Sequence, residues 1–414
     1  MKKIGLFALP LLLLSLWLTP ALAQLTVNGK IIDADDKKPV EQVSISINKK
    51  GIGTATNSAG LFTLIIPTDN AKDSLKISSI GYKTQTIAIA NLKRGEQLNL
   101  SLKSNTTELK EVTIAYYDAD KIMQKAIASI PSNFINYRHV LRGFYRMYTY
   151  NDTDPLQLSE AVFDVFNFGY GDTHADVFRL VKARTEKNER DFTATEVSQK
   201  PNSIFEQDII NHLHACGFLT PYGLTRHTYK VNGVVDLQGY RAYEIAFREV
   251  DGAVEGTFRG RLYVDVKTHA FIHFDFGLSP ANLREPVNRT FIQRSLITPR
   301  GVEVNLKSDR TKVSYQQVGN KWVLASVEGN STFAIKDTVK NIVYPTARVK
   351  FNYQITQVDT TQQESFSAKI GRNDNINAYK SNGNSSFWKD YNIILSDYNV
   401  DDTFTKLKEY KKAK

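Results

Sequence analysis

Apolar and polar residues alternate over most of the chain, which is the pattern of β-strands with one buried face. In residues 25–103 the alternating runs are short, as in VSISI, where Val43, Ile45 and Ile47 share one face. Turn signals separate these runs, such as NSAG, which ends at Gly60. Several short strands in about eighty residues predict a β-sandwich at the front of the chain.

A tight corner is predicted at Gly81, within the run SLKISSIGYKTQTIAI. A residue without a Cβ tolerates the backbone conformations that such a corner needs. The neighbouring Tyr82 is expected to lay its ring over the edge of the sandwich with its hydroxyl in water. Both residues therefore have a structural interpretation, and neither is a candidate for chemistry.

A connecting helix is predicted after the sandwich, because Ile122, Ala126 and Ile130 recur at four-residue intervals. Asp118 is a suitable N-cap. Pro131 is expected to end the helix, since it lacks the N–H that the next turn needs. The closing run FWKDYNIIL also has apolar residues near helical spacing, so it is expected to dock as a helical segment.

From about residue 137 to 358 the chain is strand-like and rich in Tyr, Phe, Val and Thr. Two hairpins are predicted, with turns near Lys267 and Gly319. Successive hairpins indicate a large antiparallel sheet, curved or closed. One helical stretch, SIFEQDIINHLHACGFL at residues 203–219, is expected to cover the open side of this sheet. The fold class predicted for the whole chain is therefore mainly β.

The first 23 residues are typical of a secretory signal peptide. Lys2 and Lys3 form the basic region, LLLLSLWL the apolar region, and the small residues Ala21 and Ala23 the cleavage site. The expected first mature residue is Gln24, which is not a lipid-anchoring cysteine. No second long apolar run follows, so no transmembrane segment is expected in the mature chain. The protein is predicted to be exported, and periplasmic or associated with the outer membrane.

The formal net charge of +10 falls to +8 without the two lysines of the signal peptide. A basic surface attracts nucleic acid, anionic lipid or acidic glycans, but export makes nucleic acid an unsuitable partner. The basic tail KLKEYKKAK, residues 406–414, is interpreted as a solvated terminus. A single cysteine, Cys216, cannot form an intramolecular disulfide, so packed cores must stabilise the fold.

The runs VNGKIIDADDKKPVEQVSISI, GTATNSAGLFTL and LKISSIGYKTQTI resemble the carboxypeptidase-regulatory-like domain, a transthyretin-like sandwich of exported Bacteroidetes proteins. The resemblance covers residues 25–103, and it departs from the usual pattern at Ser58, where Asp is common. It implies a non-catalytic domain that contacts an envelope protein, such as an outer-membrane transporter. A zinc carboxypeptidase domain is not expected, since no histidine is followed by Glu three residues later.

The helix-covered sheet, with GRLYVDVKTHAFIHFDF followed by YQQVGNKWVLASVEG, looks like the lipoprotein-carrier fold of the bacterial envelope, over residues 140–358. This resemblance implies an apolar or lipid ligand. The predicted organisation is a signal peptide, a carboxypeptidase-regulatory-like sandwich, a linker with a helix, an antiparallel β-rich domain, and a polar loop with a C-terminal segment, at residues 1–23, 24–103, 104–136, 137–360 and 361–414.

The sharpest cluster of candidate metal ligands is HLHAC. On a helix, His212 and Cys216 lie four residues apart on one side, a spacing that can bind zinc, while His214 points elsewhere. A structural site needs further ligands, so two ordinary histidines on a packed helix are the preferred interpretation. His269 and His273 are also four apart, but in a predicted hairpin, where they are expected to be cross-strand neighbours.

Nucleophilic chemistry has no sequence support. The chain lacks a G-x-S-x-G nucleophile elbow, and FGYGD lacks the glycine spacing of a phosphate loop. The carboxylates Glu160, Asp164, Asp265 and Asp275 cannot be paired by spacing alone. No catalytic, metal-binding or cofactor-binding residue is therefore nominated, no cofactor is expected, and the ligand-binding residues are unknown.

Three hypotheses follow for function. The favoured one is a non-catalytic binding or scaffolding protein of the envelope, with the sandwich for partner contact and the sheet for an apolar or extended ligand. The second is a hydrolase of unrecognised class that acts on a glycan or peptide. The third is an adaptor whose sheet is filled by its own side chains, because a ligand needs a lined cavity of about 300 Å³ or more.

Overall fold

A computed structural model describes residues 24–105, 117–152, 154–188, 196–197, 200–253, 256–284, 296–297, 300–379, 387–389 and 391–412. The predicted signal peptide and residues 106–116 of the predicted linker lie outside the described residues. None of the helices in the described ranges has the length and apolar character that a membrane span needs. The fold is mainly β, as the alternating pattern predicts.

Seven strands form the front sandwich: β1 (Leu25–Asp33), β2 (Ser44–Ile47), β3 (Ile52–Ala55), β4 (Leu61–Ile66), β5 (Ser74–Ser78), β6 (Gln85–Ala88) and β7 (Gln97–Leu102). They make two sheets, with strand orders β4-β1-β7 and β3-β2-β5-β6. Ile31 and Leu64 from the first sheet pack with Ile45 and Ile77 from the second, and all four are fully buried. The predicted sandwich is confirmed.

The corner at Gly81 is also confirmed, with a φ of +83° that favours glycine. The expectation for Tyr82 is wrong in one respect. Its hydroxyl donates a hydrogen bond to Oδ2 of Asp33 at 2.8 Å instead of facing only water. Desolvation, together with this bond to a carboxylate, raises the pKa of Tyr82 to about 12. The bond links the start of β6 to the end of β1.

Ten strands form the back sheet, and every neighbouring pair is antiparallel, as predicted. The strands are β8 (His139–Tyr150), β9 (Pro155–Asn167), β10 (Val177–Lys187), β12 (His227–Leu237), β13 (Tyr240–Glu249), β14 (Phe258–Asp265), β15 (Phe271–Leu278), β17 (Val302–Val318), β18 (Lys321–Asp337) and β19 (Ile342–Asp359). Their order across the sheet is β10-β9-β8-β19-β18-β17-β15-β14-β13-β12. Two short strands pair separately, β11 (Glu196–Val197) and β16 (Leu296–Ile297).

The described helices are α1 (Ala119–Ala128), α2 (Ile130–Asn133), α3 (Pro201–Phe205), α4 (Leu213–Cys216), α5 (Pro221–Thr225), α6 (Pro280–Arg284) and α7 (Val400–Lys412). Short 3-10 turns occur at Thr68–Asn70, Ile89–Asn91, Ile376–Ala378 and Phe387–Lys389. Asp118 caps α1 as predicted, since its side chain accepts from the N–H of Lys121 at 3.0 Å. Pro131 does not end α1. It occupies the first turn of α2, where a missing N–H costs nothing.

The predicted single helix over residues 203–219 is wrong. The segment forms α3 and α4, separated by turns around Asp208. The carboxylate of Asp208 accepts hydrogen bonds from the hydroxyls of Tyr170 and Tyr315, both at 2.8 Å. These two bonds, one to Tyr315 of β17 and one to Tyr170 in the turn after β9, outweigh the local helical pattern, because a buried carboxylate without partners is costly.

The face of the back sheet that contacts these helices is filled by aromatic side chains. Phe134, which directly follows α2, lies edge-to-face against Tyr315, with ring centroids 5.3 Å apart. Other rings from the sheet and the helices pack into the same core with less than 2% of their surface exposed. They include Phe163, Phe178, Phe205, Phe218 and Trp322. Many of the aromatic residues of the back sheet therefore serve its core.

The opposite face of the back sheet carries the C-terminal segment. Trp388 lies against Phe144, with ring centroids 6.3 Å apart, and packs with Val162. The prediction that FWKDYNIIL docks as a helical segment is wrong for most of its described residues: Phe387–Lys389 form a 3-10 turn, and residues 391–399 contain no helix. Hydrogen bonds to the front sandwich and the back sheet hold this stretch extended, as described below.

Candidate functional site

The front sandwich lies on the face of the back sheet that is opposite the helices. Tyr315 of β17 points toward the helix layer, where its hydroxyl meets Asp208, whereas the preceding Ser314 lines a cleft beside the front sandwich. The two parts touch directly at Gly51, which has a φ of +68°. A Cβ on this glycine would lie 2.7 Å from Cβ of Val358, so the backbone approach requires glycine.

A strap, residues 391–399, ties the front sandwich to the back sheet. On one side, Oδ1 of Asp397 accepts a hydrogen bond from the backbone N–H of Ser58 at 2.8 Å. On the other side, the backbone oxygen of Ile394 accepts from Nη1 of Arg146 at 2.8 Å. The strap therefore fixes the position of the sandwich through polar contacts to both partners.

A polar cleft lies between the front sandwich, the back sheet and the strap. Its inner part has a volume of about 190 Å³ and its outer part about 490 Å³. The two parts share Glu41, Gln42, Lys312 and Glu328 in their walls, so they are neighbouring compartments of one cleft. Hydroxyl and amide groups line the inner part, among them those of Ser44, Ser46, Ser314, Ser326, Gln316 and Gln354.

Three lysines face the inner cleft: Lys49 and Lys76 from the sandwich and Lys312 from the back sheet. Nζ of Lys76 lies 4.5 Å from the centroid of the Tyr240 ring. Burial, together with the nearby charge of Lys49, lowers the pKa of Lys76 to about 8. Among the described residues, no carboxylate forms an ion pair with any of these lysines. Glu41 and Glu328 also line the inner cleft, and Lys312 lies opposite Glu328 across β17 and β18, so these carboxylates offset part of the positive charge.

Two glutamates lie where the inner and outer parts meet. Desolvation raises the pKa of Glu328 to about 7, and the charges of Glu41 and Asp275 act in the same direction, while Lys312 opposes them. Near neutral pH, Glu328 therefore exists in both protonation states. It can accept a hydrogen bond as a carboxylate or donate one as an acid.

His273 is almost completely buried at the base of the cleft, and its Nδ1 lies 2.8 Å from Oγ of Ser314. Burial lowers the pKa of His273 to about 4, so the ring is neutral at neutral pH. Its Nε2 has no hydrogen-bond partner among the described residues. A serine hydrolase needs a third group that orients the histidine, and the described residues supply none here. This nitrogen is itself buried, so the ring forms part of the wall of the cleft.

The other histidine of that hairpin, His269, does not lie beside His273. His269 directly follows the turn at residues 266–268 and has a φ of +57°, whereas His273 lies in β15 and pairs with Tyr263 of β14. The expectation that His269 and His273 are cross-strand neighbours is wrong, because both lie on the same side of the turn. The hairpin itself, with its turn after Asp265, is as predicted.

The HLHAC cluster does not have the geometry that its helical interpretation assumed. His212 precedes α4 in a non-helical conformation, and Cys216 is the last residue of α4, so the four-residue helical spacing is lost. Nε2 of His212 lies 3.4 Å from Oδ2 of Asp176. Among the described residues, no group of three or more His, Cys, Asp or Glu side chains is placed to hold a metal ion.

The four carboxylates that could not be paired from sequence have structural partners. Glu160 binds Arg146 and Arg184, with both N–O distances 2.6 Å. Asp164 likewise lies between two arginines. Asp275 forms an ion pair with an arginine of β17, and Asp265 caps the turn of its hairpin.

A comparison with known protein families supports the assignment of the front sandwich. Residues 27–114 match the CarboxypepD_reg-like domain family. This match confirms the resemblance found in the sequence and extends somewhat beyond the predicted boundary at residue 103. No curated protein matches the chain.

Solved structures resemble the chain only distantly. A protein domain from Vibrio parahaemolyticus, described as an outer membrane lipoprotein-sorting protein domain, is 9% identical, with 60% of this chain and 95% of that chain covered and a TM-score of 0.25. A LolA superfamily protein from Nitrosomonas europaea is 10% identical, with 59% and 94% covered and a TM-score of 0.24. The likeness to lipoprotein-sorting proteins is thus found again, but these TM-scores are too low to carry a functional assignment.

Proposed function

We propose that the protein is an exported, non-catalytic binding protein of the cell envelope, and that its cleft binds an extended polar ligand with an anionic group. The observation that carries this proposal is the pair of Lys49 and Lys76, which line the inner cleft without ion-pair partners among the described residues, whereas Lys312 lies opposite Glu328 across β17 and β18. Holding like charges together in a partly desolvated space is unfavourable. An oxyanion of the ligand would relieve this repulsion.

The ligand is proposed to be polar rather than apolar. The helix-covered face of the back sheet is packed with its own rings, such as Tyr315 and Trp322, whereas the cleft is walled by hydroxyls, amides and charges. The inner and outer compartments together exceed the volume of about 300 Å³ that a ligand of moderate size needs. An elongated molecule, such as an acidic oligosaccharide or an acidic peptide, fits this shape and chemistry.

The front sandwich is proposed to contact an envelope partner through its outer side. Strand β3 packs against β19, and β4 lies beside the strap, so both are occupied within the chain. Strands β6 and β7 are the other edges of their two sheets. Edge strands present backbone groups to which an added strand can bind, which is a known mode of peptide recognition. An outer-membrane transporter remains the partner class implied by the domain resemblance.

The test is native mass spectrometry of the mature protein purified gently from its own envelope. A retained acidic sugar or peptide supports the proposal, provided that Lys76→Met reduces its occupancy and the exposed control Lys93→Met does not. A stoichiometric lipid contradicts it and supports the apolar alternative. An apo mass is followed by calorimetric titration with galacturonate and with glutamate. Absence of binding to both contradicts the proposal in favour of an adaptor.

A further inference from the structure

The tip of the hairpin formed by β18 and β19 is apolar and exposed. The turn spans residues 338–341, and the side chains of Val339, Ile342 and Val343 are 78%, 44% and 74% exposed. These are three of the nine large hydrophobic side chains that the described residues expose, and they lie within five positions of one another. Such clustering is unusual on a soluble surface and marks an interaction site.

The apolar residues occupy both faces of the tip. Val343 is paired with Lys336 across the two strands and therefore shares its face, while Ile342 is paired with Asp337 and lies on the other face. Val339 is at the apex between them. An apex that is apolar all round suits insertion into a soft apolar medium better than contact with one flat protein surface.

Positive charges surround this apex. Arg300, Lys336 and Lys340 are all exposed, and Arg300 lies next to the tip because the N–H of Thr338 donates to the oxygen of Gly301 at 2.8 Å. The nearly buried carboxylate of Asp337 accepts from two N–H groups of the turn and forms an ion pair with Lys340, with Oδ2 3.8 Å from Nζ. Glu303 lies opposite Lys336 across β17 and β18, so the three cations around the apex exceed these two carboxylates by one charge. The combination of apolar apex and basic collar complements a surface of anionic phospholipid headgroups over an acyl interior.

The tip also projects away from the other contacts of the chain. Strand β18 has 17 residues, and at a rise of about 3.3 Å per residue its two ends are about 50 Å apart. The end near Gly319 touches the front sandwich, since the N–H of Gly319 donates to the oxygen of Lys49 at 3.0 Å. The tip is at the opposite end, so a membrane could engage it without closing the cleft.

We propose that this hairpin tip docks the protein on an anionic phospholipid surface, with Val339, Ile342 and Val343 inserted at the level of the headgroups. Binding then has two separable components. The apolar component acts on any bilayer, because it depends on burial of the three side chains. The electrostatic component requires anionic lipid and weakens as salt screens the charges.

The test is flotation of the mature protein with vesicles of phosphatidylcholine mixed with phosphatidylglycerol, and with vesicles of phosphatidylcholine alone. The double variant Val339→Asp, Val343→Asp is expected to lose at least about tenfold in partitioning to the mixed vesicles. Lys336→Gln is expected to reduce binding only to vesicles that contain phosphatidylglycerol. The matched control is the double variant Val181→Asp, Tyr222→Asp, which places the same two charges at exposed apolar side chains away from the tip.

A second measurement locates the contact. Val339→Trp is expected to shift its fluorescence to shorter wavelength when mixed vesicles are added, while the buried Trp322 and Trp388 provide a constant background. The proposal is overturned if the wild type fails to float with either vesicle, or if the double variant floats equally well. Concentration-dependent self-association that the double variant abolishes, without vesicle binding, would assign the tip to a second copy of the chain instead.

Discussion

The side-chain amide of Asn392 hydrogen-bonds both backbone groups of Ile65, accepting from the N–H at 2.7 Å and donating to the oxygen at 3.1 Å. The two residues are 327 positions apart in the sequence. Ile65 lies in β4, the edge strand of its sheet, so the amide substitutes there for a neighbouring strand. The end of the chain thereby holds its front sandwich in place.

Replacement of this amide tests the role of the strap. In Asn392→Asp the side chain still accepts from the N–H, but it loses the donor and places a carboxylate against the oxygen of Ile65. We expect a loss of about 1–3 kcal/mol in the free energy of unfolding, measured by urea denaturation with Trp388 fluorescence as the probe. The control is Asn28→Asp, because Oδ1 of Asn28 only accepts from Thr63. Equal effects at both sites would contradict the special role of Asn392.

Sequence patterns predicted the elements that depend on neighbours along the chain. The sandwich strands and the hairpin turns follow from period two and from residues such as Gly60 and Gly319, whose conformations are local properties. The prediction of one helix over residues 203–219 failed because Asp208 is held by two distant tyrosines, Tyr315 in β17 and Tyr170 in the turn after β9. Local helix propensity contains no information about such a bond, because the bond exists only after the sheet has formed.

The cleft could not be predicted for a related reason. In the run SLKIS, Leu75 and Ile77 face the core of the sandwich, and Lys76 must therefore face outward. The pattern identifies an outward residue but does not say whether water or another part of the protein covers it. Only the docking of the sandwich, through Gly51 and the strap, places Lys76 opposite Tyr240.

The close approach at Gly51 gives a second prediction. In Gly51→Ala the new Cβ would lie 2.7 Å from Val358, so the front sandwich must shift away from the back sheet. Gly95→Ala is the matched control, because Gly95 also has a positive φ, of +79°, but no atom lies within 4 Å of the added Cβ. We expect Gly51→Ala to cost about 1–3 kcal/mol more than the control. Limited proteolysis should release the front sandwich more readily from the first variant only.

The ion pairs under the C-terminal segment give a third prediction. The carboxylate of Glu160 is fully buried between Arg146 and Arg184. Glu160→Gln leaves Arg146 without its counter-charge and Arg184 with only the exposed Asp401, and we expect a loss of about 3–5 kcal/mol in the free energy of unfolding. Glu96→Gln removes the exposed pair with Lys93 and should cost less than about 1 kcal/mol. A small effect in both variants would mean that water reaches the buried arginines.

The last prediction concerns pH and the charge of Lys76. Because the pKa of this lysine is lowered to about 8 in the folded protein, the unfolded chain binds more protons between about pH 8 and its ordinary pKa of 10.5. The charged lysine therefore destabilises the fold below about pH 8, and this loss of stability disappears as the pH rises from about 8 to 10.5. Lys76→Met should thus be more stable than the wild type at pH 7, by about 2 kcal/mol in urea denaturation.

The same comparison at pH 10 separates charge from packing. There the wild-type lysine is largely neutral, so the advantage of Lys76→Met should shrink, whereas the exposed control Lys93→Met should show no such change. An advantage of equal size at both pH values would mean that the methionine packs better, and that the charge of Lys76 costs little. An anionic ligand in the cleft should itself reduce the difference at pH 7, because it stabilises the charged lysine in the wild type alone.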